Sequence, residues 1–338
     1  MSDKTAISWC DSTVNFWQGC TKVSPACDNC YAERRNRWLR KGENWGPGAP
    51  RLLHQTAPAT VRSWQRNAEK FRKAHGRDRR VFVNSTSDWL DNEVPIDWLV
   101  TLLDTVRQSP DVTFLLLSKR IGNWRKRLMD ALHFAVNVTD YPLTDTSVAL
   151  AEWIAAWLHG TPPANVWLGA TICNQTEADR DIPKLLAVPA AVRFLSIEPM
   201  LGRVDLCERF GIWRNQTTGA WVHDGRRSGI DWVIPGGESG LNARPSHPDW
   251  FRSLRDQCAA AGVPFHFKQW GEWAPGENIE RQRGTVDAAF LYDYEWIIHR
   301  SNAAADYGHI DDRPDVYRVG TKAAGRLLDG RTHDEFPR

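Results

Sequence analysis

Three cysteines near the N-terminus have a spacing that could hold a metal centre. Cys20, Cys27 and Cys30 follow one another as C-x6-C-x2-C, and a proline and an Asp-Asn pair between them favour turns. Thiolates held this close in a turn-rich loop repel one another unless a metal or a disulfide takes up the charge. Metal binding and disulfide formation are therefore the two kinds of chemistry to weigh for this loop.

The number and placement of the cysteines argue against a disulfide framework. The chain has 7 cysteines, an odd number, and four of them lie within residues 10–30. This crowding is unlike a secreted disulfide scaffold and is typical of a reducing compartment, so we expect a cytoplasmic protein. The N-terminal residues lack an apolar signal segment and no run reaches membrane-spanning length, so we expect no contact with a membrane.

Structural zinc and an iron–sulfur cluster are the two metal centres that the loop could hold. Zinc loops typically contain two pairs of ligands roughly two to four residues apart, whereas only Cys27 and Cys30 form such a pair. Three clustered cysteines suit a four-iron (4Fe-4S) cluster with one iron open to a ligand, because that cluster needs four ligands. Cys10 is ambiguous: as a fourth ligand it would close the cluster and leave an electron carrier, and otherwise it is a buried thiol.

The elements that must position these residues show a β/α pattern. Apolar runs of strand length lie at 81–83, 112–117, 166–170, 192–197, 232–234 and 264–267. Helix-like segments lie between them, at 95–108, 121–133, 178–187 and 247–262. Buried strands that alternate with amphipathic helices are typical of parallel β/α units. We also predict a short strand at 7–9 and helices over 31–40, with a strongly basic face, over 61–80 and over 320–330.

This pattern predicts an α/β fold built as a full or partial parallel (β/α) barrel of about six β/α units. A doubly wound open sheet is the alternative. We expect the barrel over residues 1–275, with insertions near 130–160 and 207–228, and a C-terminal extension over 276–338 that packs on the barrel.

Polar residues concentrate at the carboxyl ends of the predicted strands, where parallel β/α proteins place their active sites. The candidates for binding a cofactor are Asn84, Ser85, Asp88, Glu198, Gly236, Gly237 and Glu238. The candidates for catalysis are Lys119, Cys173 and Lys268. Each has a structural alternative: Glu198 could accept a lysine salt bridge, the glycine pair could form a tight turn, and Cys173 could be buried.

Residues 62–80 are strongly basic and could bind nucleic-acid phosphates. A solvated basic helix is the alternative, and the net charge of +2 does not decide between them. The cations in this run are Arg62, Arg66, Lys70, Arg72, Lys73, Arg77, Arg79 and Arg80, against only Glu69 and Asp78. The 18 tryptophans are more than a core of this size needs, so some should line pockets or form stacking surfaces.

The cysteine loop resembles that of the radical S-adenosylmethionine (radical SAM) enzymes. The chain is similar to a phage-associated family with a radical-SAM-like three-cysteine motif, and the resemblance covers most of it except 130–160, 207–228 and 277–318. The usual spacing in the superfamily is C-x3-C-x2-C, whereas this chain has six residues in the first interval. The similar segments are 9–13, 19–33, 82–85, 195–199, 236–240, 267–273 and 323–330.

The resemblance implies that Cys20, Cys27 and Cys30 ligate a 4Fe-4S cluster whose open iron binds S-adenosylmethionine. An enzyme of this kind cleaves that cosubstrate reductively to methionine and a 5′-deoxyadenosyl radical, which abstracts hydrogen from a substrate. It implies an electron donor such as flavodoxin or ferredoxin, and the basic segments favour a nucleotide or nucleic acid as substrate. Two alternatives stay open: a zinc-stabilised nucleic-acid-binding protein without redox chemistry, and an electron-transfer protein with a closed cluster.

Overall fold

The computed structural model describes residues 3–39, 42–137, 145–276, 285–302 and 314–337. The chain divides into two compact units. Unit 1 comprises Met1–Thr171 and Arg180–Phe194, and unit 2 comprises Ile172–Asp179 and Leu195–Arg338.

Unit 1 contains short N-terminal strands followed by β/α units. Its strands are β1 (Ser12–Val14), β2 (Trp17–Gln18), β3 (Leu52–Leu53), β4 (Arg79–Val83), β5 (Val112–Ser118) and β6 (Val166–Thr171). Its helices are α1 (Tyr31–Trp38), α2 (Ala57–Arg66), α3 (Ala68–His75), α4 (Ile96–Arg107), α5 (Trp124–Asn137) and α6 (Asp145–Leu158). Helix α7 (Gln175–Leu186) and strand β7 (Val192–Ile197) each contribute residues to both units.

The core of unit 1 is a parallel sheet. Strand β1 pairs with β4, β4 with β5 and β5 with β6, all in parallel. The residue pairs Val14↔Val83 and Val83↔Leu116 align the carboxyl ends of the first three strands. Their side chains are fully buried, as expected for parallel strands covered on both faces by helices. The polar residues that follow β1, β4 and β5 therefore lie at one edge of this sheet.

Unit 2 combines the end of β7 with further strands. It contains α8 (Cys207–Phe210), β8 (Ile212–Arg214), β9 (Trp221–His223), β10 (Trp232–Pro235), α9 (Pro248–Ala261), β11 (Trp273–Ala274), β12 (Thr285–Tyr292), β13 (Glu295–Asn302), β14 (Val316–Arg318) and α10 (Thr321–Ala324). Strands β8 and β9 form a hairpin. Strands β11, β14, β12 and β13 form an antiparallel sheet in that order. After β10, isolated parallel bridges join Val233 to Phe265 and Gly236 to Gln269.

The α/β class predicted from the sequence is confirmed. The large sheet has six strands in the order β1-β4-β5-β6-β7-β10, with helices between successive strands. Among the described residues the strands form no closed sheet, so the barrel stays a prediction. The predicted strands at 112–117, 166–170, 192–197 and 232–234 lie within β5, β6, β7 and β10.

Several predicted elements have different bounds. The strand predicted at 7–9 is wrong, because the first strand is β1 at Ser12–Val14. The helix predicted over 61–80 is instead the end of α2 followed by α3. Helix α3 ends before Gly76, whose φ of 70° favours glycine, and Arg79 and Arg80 belong to β4. The sixth predicted strand consists of isolated bridges, and the C-terminal helix covers only Thr321–Ala324.

Parts of three predicted segments lie outside the described residues. These parts are 138–144 in the predicted insertion near 130–160, 277–284 and 303–313 in the predicted extension, and residue 40 in the first predicted helix. The second predicted insertion, 207–228, contains α8 and the β8–β9 hairpin. Among the described residues, no helix combines the length and apolar character that crossing a bilayer requires.

Candidate cysteine-loop site

The cysteine loop starts at a glycine that no other residue could replace without strain. The Gly19 N–H donates to Thr86 O at 3.2 Å, and the Cys20 N–H donates to Asn44 O at 3.2 Å. Gly19 has φ = 107°, and a Cβ added there would lie 2.4 Å from Asn44 O. Glycine thus lets the loop pass between the end of β4 and the 44–46 segment, which fixes the backbone of Cys20.

The other two cysteines lie at the boundaries of local helical structure. Ser24 begins a short 3-10 turn over Pro25–Cys27: its Oγ accepts from the Ala26 N–H at 3.1 Å, and its carbonyl accepts from the Cys27 N–H at 2.8 Å. Cys30 is the residue that precedes α1, and its carbonyl accepts from the Arg34 N–H at 3.1 Å. All seven cysteines are free thiols, so the loop contains no disulfide.

The Cys20 thiol lies beside an arginine–carboxylate pair. Arg120 Nη1 lies 3.4 Å from Cys20 Sγ and 3.1 Å from Asp88 Oδ2. Burial and, to a smaller extent, the charge of Asp88 raise the pKa of Cys20 to about 11, although Arg120 opposes the rise. The thiol is therefore protonated at neutral pH, and a metal that bound it would have to displace the proton.

Asp88, predicted as a cofactor ligand, is occupied by contacts within the protein. Its Oδ1 accepts from the Leu90 N–H at 3.0 Å and from Ser118 Oγ at 2.7 Å. Its Oδ2 accepts from the Lys119 N–H at 2.9 Å and from Arg120 Nη1 at 3.1 Å. These four bonds use the acceptor capacity of the carboxylate. Asp88 therefore joins the ends of β4 and β5 and orients Arg120 toward Cys20.

Asn84 and Thr86, at the end of β4, hold buried polar atoms without a partner. Asn84 is 2% exposed, its Oδ1 accepts from the Phe16 N–H at 2.8 Å, and its φ is 57°. Because Oδ1 is used in this way, the amide nitrogen Nδ2 points elsewhere, and it has no acceptor among the described residues. The buried Thr86 Oγ1 likewise has no partner there. Buried donors in folded proteins almost always have acceptors, so these atoms suit a bound ligand or ordered water.

Ser85 and Lys119, the remaining predicted residues at this edge, differ in their surroundings. Ser85 Oγ donates to Asn15 Oδ1 at 3.3 Å, and its carbonyl accepts from the Tyr31 hydroxyl. Lys119 is half-buried, and its ammonium group has no hydrogen bond or ion pair among the described residues. Lys119 is thus a cation at this edge that is open to a ligand.

A buried arginine that the sequence did not single out supports the loop. Arg51 Nε donates to Asp91 Oδ2 at 3.0 Å, and both side chains are buried. Its Nη2 donates to Thr21 Oγ1 at 2.9 Å and to Glu93 Oε2 at 3.0 Å. This network ties the residue after Cys20 to the loop after β4. Arg51 lies in a Gly- and Pro-rich segment without a recognisable motif, so only its charge could have drawn attention to it.

The thiols do not form a ready metal site in the part of the chain that is described. No group of three or more His, Cys, Asp and Glu side chains there is arranged to hold a metal ion. Cys10 Sγ lies 4.0 Å from Ile7 O. Three free thiols in one loop nevertheless match the donor set of a three-cysteine cluster. Such a cluster would have to draw the thiols together as it binds, as is common where metal and fold are coupled.

In unit 2 the predicted residue Glu198 forms an ion pair with the predicted residue Lys268. Lys268 Nζ lies 2.8 Å from Glu198 Oε1 and 2.6 Å from Oε2. Gln269 Nε2 donates to Glu198 Oε1 and to Ser239 Oγ, both at 2.9 Å. Gly236 makes room for this group, because a Cβ there would lie 3.1 Å from Glu198 Cδ. The salt-bridge alternative for Glu198 is therefore the arrangement found.

The other predicted residues of unit 2 have structural partners. A Cβ at Gly237 would lie 1.8 Å from Trp270 O, so this glycine permits a close backbone approach. Glu238 is buried and accepts from Arg244 Nε at 2.9 Å and from Arg244 Nη2 at 2.6 Å. Cys173 is fully buried within unit 2.

Five of the eight cations in the run 62–80 have partners within unit 1, and for three of these five the partners are carboxylates. Arg77 forms two bonds with Asp11 at 2.7 and 2.8 Å, and Arg72 lies 2.7 Å from Asp78. Arg79 lies over the Phe71 ring at 4.3 Å. Three exposed cations of the run have no hydrogen bond or ion pair among the described residues: Arg62, Arg66 and Lys70.

Comparison with known proteins gives one match. A family model described as "Protein of unknown function (DUF5131)" matches residues 4–337. No curated protein and no solved structure shows significant similarity to the chain. Because the family model covers nearly the whole chain, this protein belongs to the DUF5131 family.

Proposed function

We propose that this protein is a radical SAM enzyme in which Cys20, Cys27 and Cys30 ligate a 4Fe-4S cluster. The observation that carries the proposal is the position of the three free thiols. They stand in one loop whose start is hydrogen-bonded to the segment that follows β4, close to the Asn84 and Thr86 donors that have no partner in the described part of the chain. A cluster with one open iron needs a neighbouring set of donors for its ligand, and the donors at this edge support that role.

Arg120 and Asp88 act as positioning residues in this proposal. Arg120 donates toward Cys20 Sγ, and Asp88 holds Arg120 through a buried ion pair. A hydrogen bond to a ligating sulfur stabilises its anionic form and tunes the metal centre. Asp88 therefore keeps its place near the site, as an orienting group rather than a cosubstrate ligand.

When bound, the cluster would supply one-electron reduction of the cosubstrate sulfonium. The chain's own residues would bind and orient the cosubstrate. In this proposal Asn84 Nδ2 and Thr86 Oγ1 donate to its carboxylate, and the burial of both atoms supports a site from which water is excluded. Lys119 offers a cation for the same negative charge.

Glu198 and Lys268 in unit 2 are proposed as a second polar group that binds the cosubstrate or the substrate. The ammonium of Lys268 and the amide of Gln269 fix the Glu198 carboxylate, whose open edge could accept from a hydroxyl or an amine. Gly236 contributes by leaving room for that carboxylate. Gly237 and Glu238 would support this group indirectly, Gly237 through its close approach to the Trp270 backbone and Glu238 through its pair with Arg244.

A nucleotide or nucleic acid is the proposed substrate, and a flavodoxin- or ferredoxin-like protein is the proposed electron donor. Residues 62–80 support a polyanionic substrate only through Arg62, Arg66 and Lys70, because their other cations have partners within the protein. Binding of a polyanion would therefore need further cations from outside residues 62–80.

The proposal is tested with anaerobically reconstituted full-length protein. Bound iron and sulfide are counted per chain, and 5′-deoxyadenosine is measured after reduction with dithionite in the presence of S-adenosylmethionine. Serine variants of Cys20, Cys27 and Cys30 are each expected to lose the cluster and the product. Cys207→Ser is the matched control, because Cys207 is also a half-buried free thiol but lies outside the loop.

Three outcomes would contradict the proposal. Zinc without iron would favour the zinc-stabilised nucleic-acid-binding protein. A cluster that is lost on Cys10→Ser as well as on the three loop variants, and that yields no product, would favour the electron-transfer protein. A cluster that survives all three loop substitutions would show that its ligands lie elsewhere.

A further inference from the structure

Helix α1 presents an exposed stripe of aromatic and basic residues immediately after the cysteine loop. Tyr31, Arg34, Arg35 and Trp38 are spaced i, i+3, i+4 and i+7, which places them on one helix face. In a soluble protein this spacing usually marks the face that packs on the core. Here the buried positions are Ala32, Glu33 and Asn36 instead, and all four residues of the stripe are exposed.

The aromatic residues of the stripe are unusually accessible. Trp38 is 79% exposed and Tyr31 is 48% exposed. Leu39, at the end of the helix, is exposed as well. Trp17, Trp89, Trp157, Trp232 and Trp270 are fully buried, so an indole left in solvent at a helix end is not explained by packing.

The two arginines of the stripe also lack partners among the described residues. The guanidinium groups of Arg34 and Arg35 have no hydrogen bond or ion pair among the described residues. The neighbouring Arg37 and Lys22 both form ion pairs with Glu33, and Lys22 Nζ lies 3.4 Å from Glu33 Oε2. The stripe itself contains no carboxylate, so its two free cations set a positive potential between two aromatic rings.

We propose that the α1 stripe binds single-stranded nucleic acid. Planar rings at both ends can stack on bases, and the two arginines between them can pair with the backbone phosphates. From Tyr31 to Trp38 the stripe runs about 10 Å along the helix axis, a length that suits a few nucleotides of an extended strand. Binding of this kind depends on both bases and phosphates, which separates it from attraction of any acidic surface.

This inference narrows the proposed substrate to single-stranded nucleic acid. It also assigns the binding surface to the α1 stripe, in place of residues 62–80. It rests on the proposed function for the identity of the substrate, but the binding itself requires no cluster. The same experiment can therefore be run on protein with and without bound iron, and its result is separate from the assay for 5′-deoxyadenosine.

The experiment measures fluorescence anisotropy of a labelled oligothymidine of about 12 nucleotides titrated with full-length protein. Trp38→Ala is expected to weaken binding at least about fivefold, the loss that follows from removing one base–aromatic stack, while Trp38→Phe retains most of the affinity. Arg34→Glu is expected to weaken binding further and to flatten its dependence on salt concentration. Circular dichroism checks that each variant keeps its fold.

Two control variants and one competitor decide the result. Arg125→Ala removes an exposed cation of α5 that has no hydrogen bond or ion pair among the described residues, and Trp213→Ala removes a half-exposed indole of unit 2; neither should change the affinity. Wild-type affinity in both Trp38→Ala and Arg34→Glu would overturn the proposal. Displacement of the oligonucleotide by polyglutamate at equal charge concentration would also overturn it, because the stripe would then be a site for an acidic protein.

Discussion

At the scale of single residues, the end of β4 is the most informative place in the molecule. Asn84 has a backbone conformation that asparagine tolerates better than most residues, and its amide is oriented by the Phe16 N–H. The remaining donor, Nδ2, is buried without a partner among the described residues, which costs about 1–3 kcal/mol unless something accepts its hydrogen bond. The Asn84 amide therefore has an unsatisfied donor at the site where a ligand is proposed.

Thr86→Val tests whether this polar group serves a ligand. Valine has the shape of threonine without the hydroxyl, so removal of a buried, unpartnered Oγ1 should leave the free energy of unfolding unchanged or raise it by about 1 kcal/mol. If the hydroxyl binds the cosubstrate, affinity for S-adenosylmethionine should nevertheless fall about tenfold. Chemical denaturation and equilibrium dialysis of the reconstituted protein measure the two quantities.

Ser85→Ala serves as the control for that measurement. Ser85 is the neighbouring residue, and its hydroxyl is already bonded to Asn15 within the protein. Its loss should lower stability slightly and leave cosubstrate affinity unchanged. Equal affinity in wild type and Thr86→Val would mean that water, and not a ligand, satisfies Thr86.

At the scale of elements, the cysteine loop depends on a glycine and not only on its thiols. Gly19→Ala combines a backbone conformation that alanine avoids with a contact of 2.4 Å between Cβ and Asn44 O. We expect a loss of about 2 kcal/mol or more in stability and a fall in bound iron, since Cys20 must move to relieve the contact. Denaturation and iron analysis check both effects.

The 44–46 segment that contacts the cysteine loop offers a matched control for the glycine substitution. Gly46 has a similar φ of 112°, but a Cβ there would meet nothing within 4 Å. Gly46→Ala therefore includes the conformational cost without the steric contact. If the two variants lost equal amounts of iron, strain and not displacement of Cys20 would explain the effect.

A carboxylate at the start of β1 makes the pairing of β1 with β4 sensitive to acid. Burial raises the pKa of Asp11, but hydrogen bonds from Arg77 and from the Arg80 N–H outweigh it, so its pKa lies below the ordinary value. Because the folded pKa is the lower one, the stabilisation is complete above the unfolded pKa of about 3.9 and is lost as the pH falls through the folded value.

Asp11→Asn should therefore destabilise the protein by about 1–2 kcal/mol at pH 7 and by progressively less below pH 4 or so. Urea denaturation of both proteins across this range measures the difference. Asp97→Asn is the control, because Asp97 is an exposed carboxylate on α4. A difference between wild type and Asp11→Asn that stayed constant down to pH 2 would contradict the assignment of the stabilising charge to Asp11.

Sequence patterns predicted the elements well where apolar runs were long, and poorly where tertiary contacts decide. Strands β5 and β6 were readable because continuous buried runs have few alternatives. The three-residue strand β1 was missed because its Ser-Thr-Val sequence is polar and pairs only through the distant β4. The use of Asp88 as an orienting group and the support from Arg51 could not be predicted, because both depend on partners 30 or more residues away.

At the scale of the whole molecule, the chain consists of two compact units, and their cores can be judged separately. Unit 1 contains the cysteine loop, the end of β4 and the α1 stripe. Unit 2 contains the Glu198–Lys268 pair and the antiparallel sheet, together with a C-terminal segment that covers its last parallel bridges. Protection from exchange should accordingly differ between units when only one of them is perturbed.

Deletion of residues 333–338 provides that perturbation. His333 O accepts from the Phe267 N–H at 3.0 Å, Glu335 O accepts from Trp232 Nε1 at 2.8 Å, and the Phe336 ring lies 4.9 Å from the Trp232 ring. Loss of these contacts should destabilise unit 2 by about 3 kcal/mol or more. Hydrogen exchange followed by mass spectrometry should show faster exchange at β10 and at 265–267.

The same experiment shows whether the units unfold separately. In the deletion variant β4 and β5 should keep their protection, because none of the lost contacts involves them. The point variant Glu335→Ala, which removes the carboxylate that accepts from the Phe265 N–H at 3.0 Å but keeps the backbone contacts, should give a smaller change confined to 265–267. If β5 instead lost protection together with β10, unfolding would be cooperative across the chain, and stability measured at the cysteine loop would report on unit 2 as well.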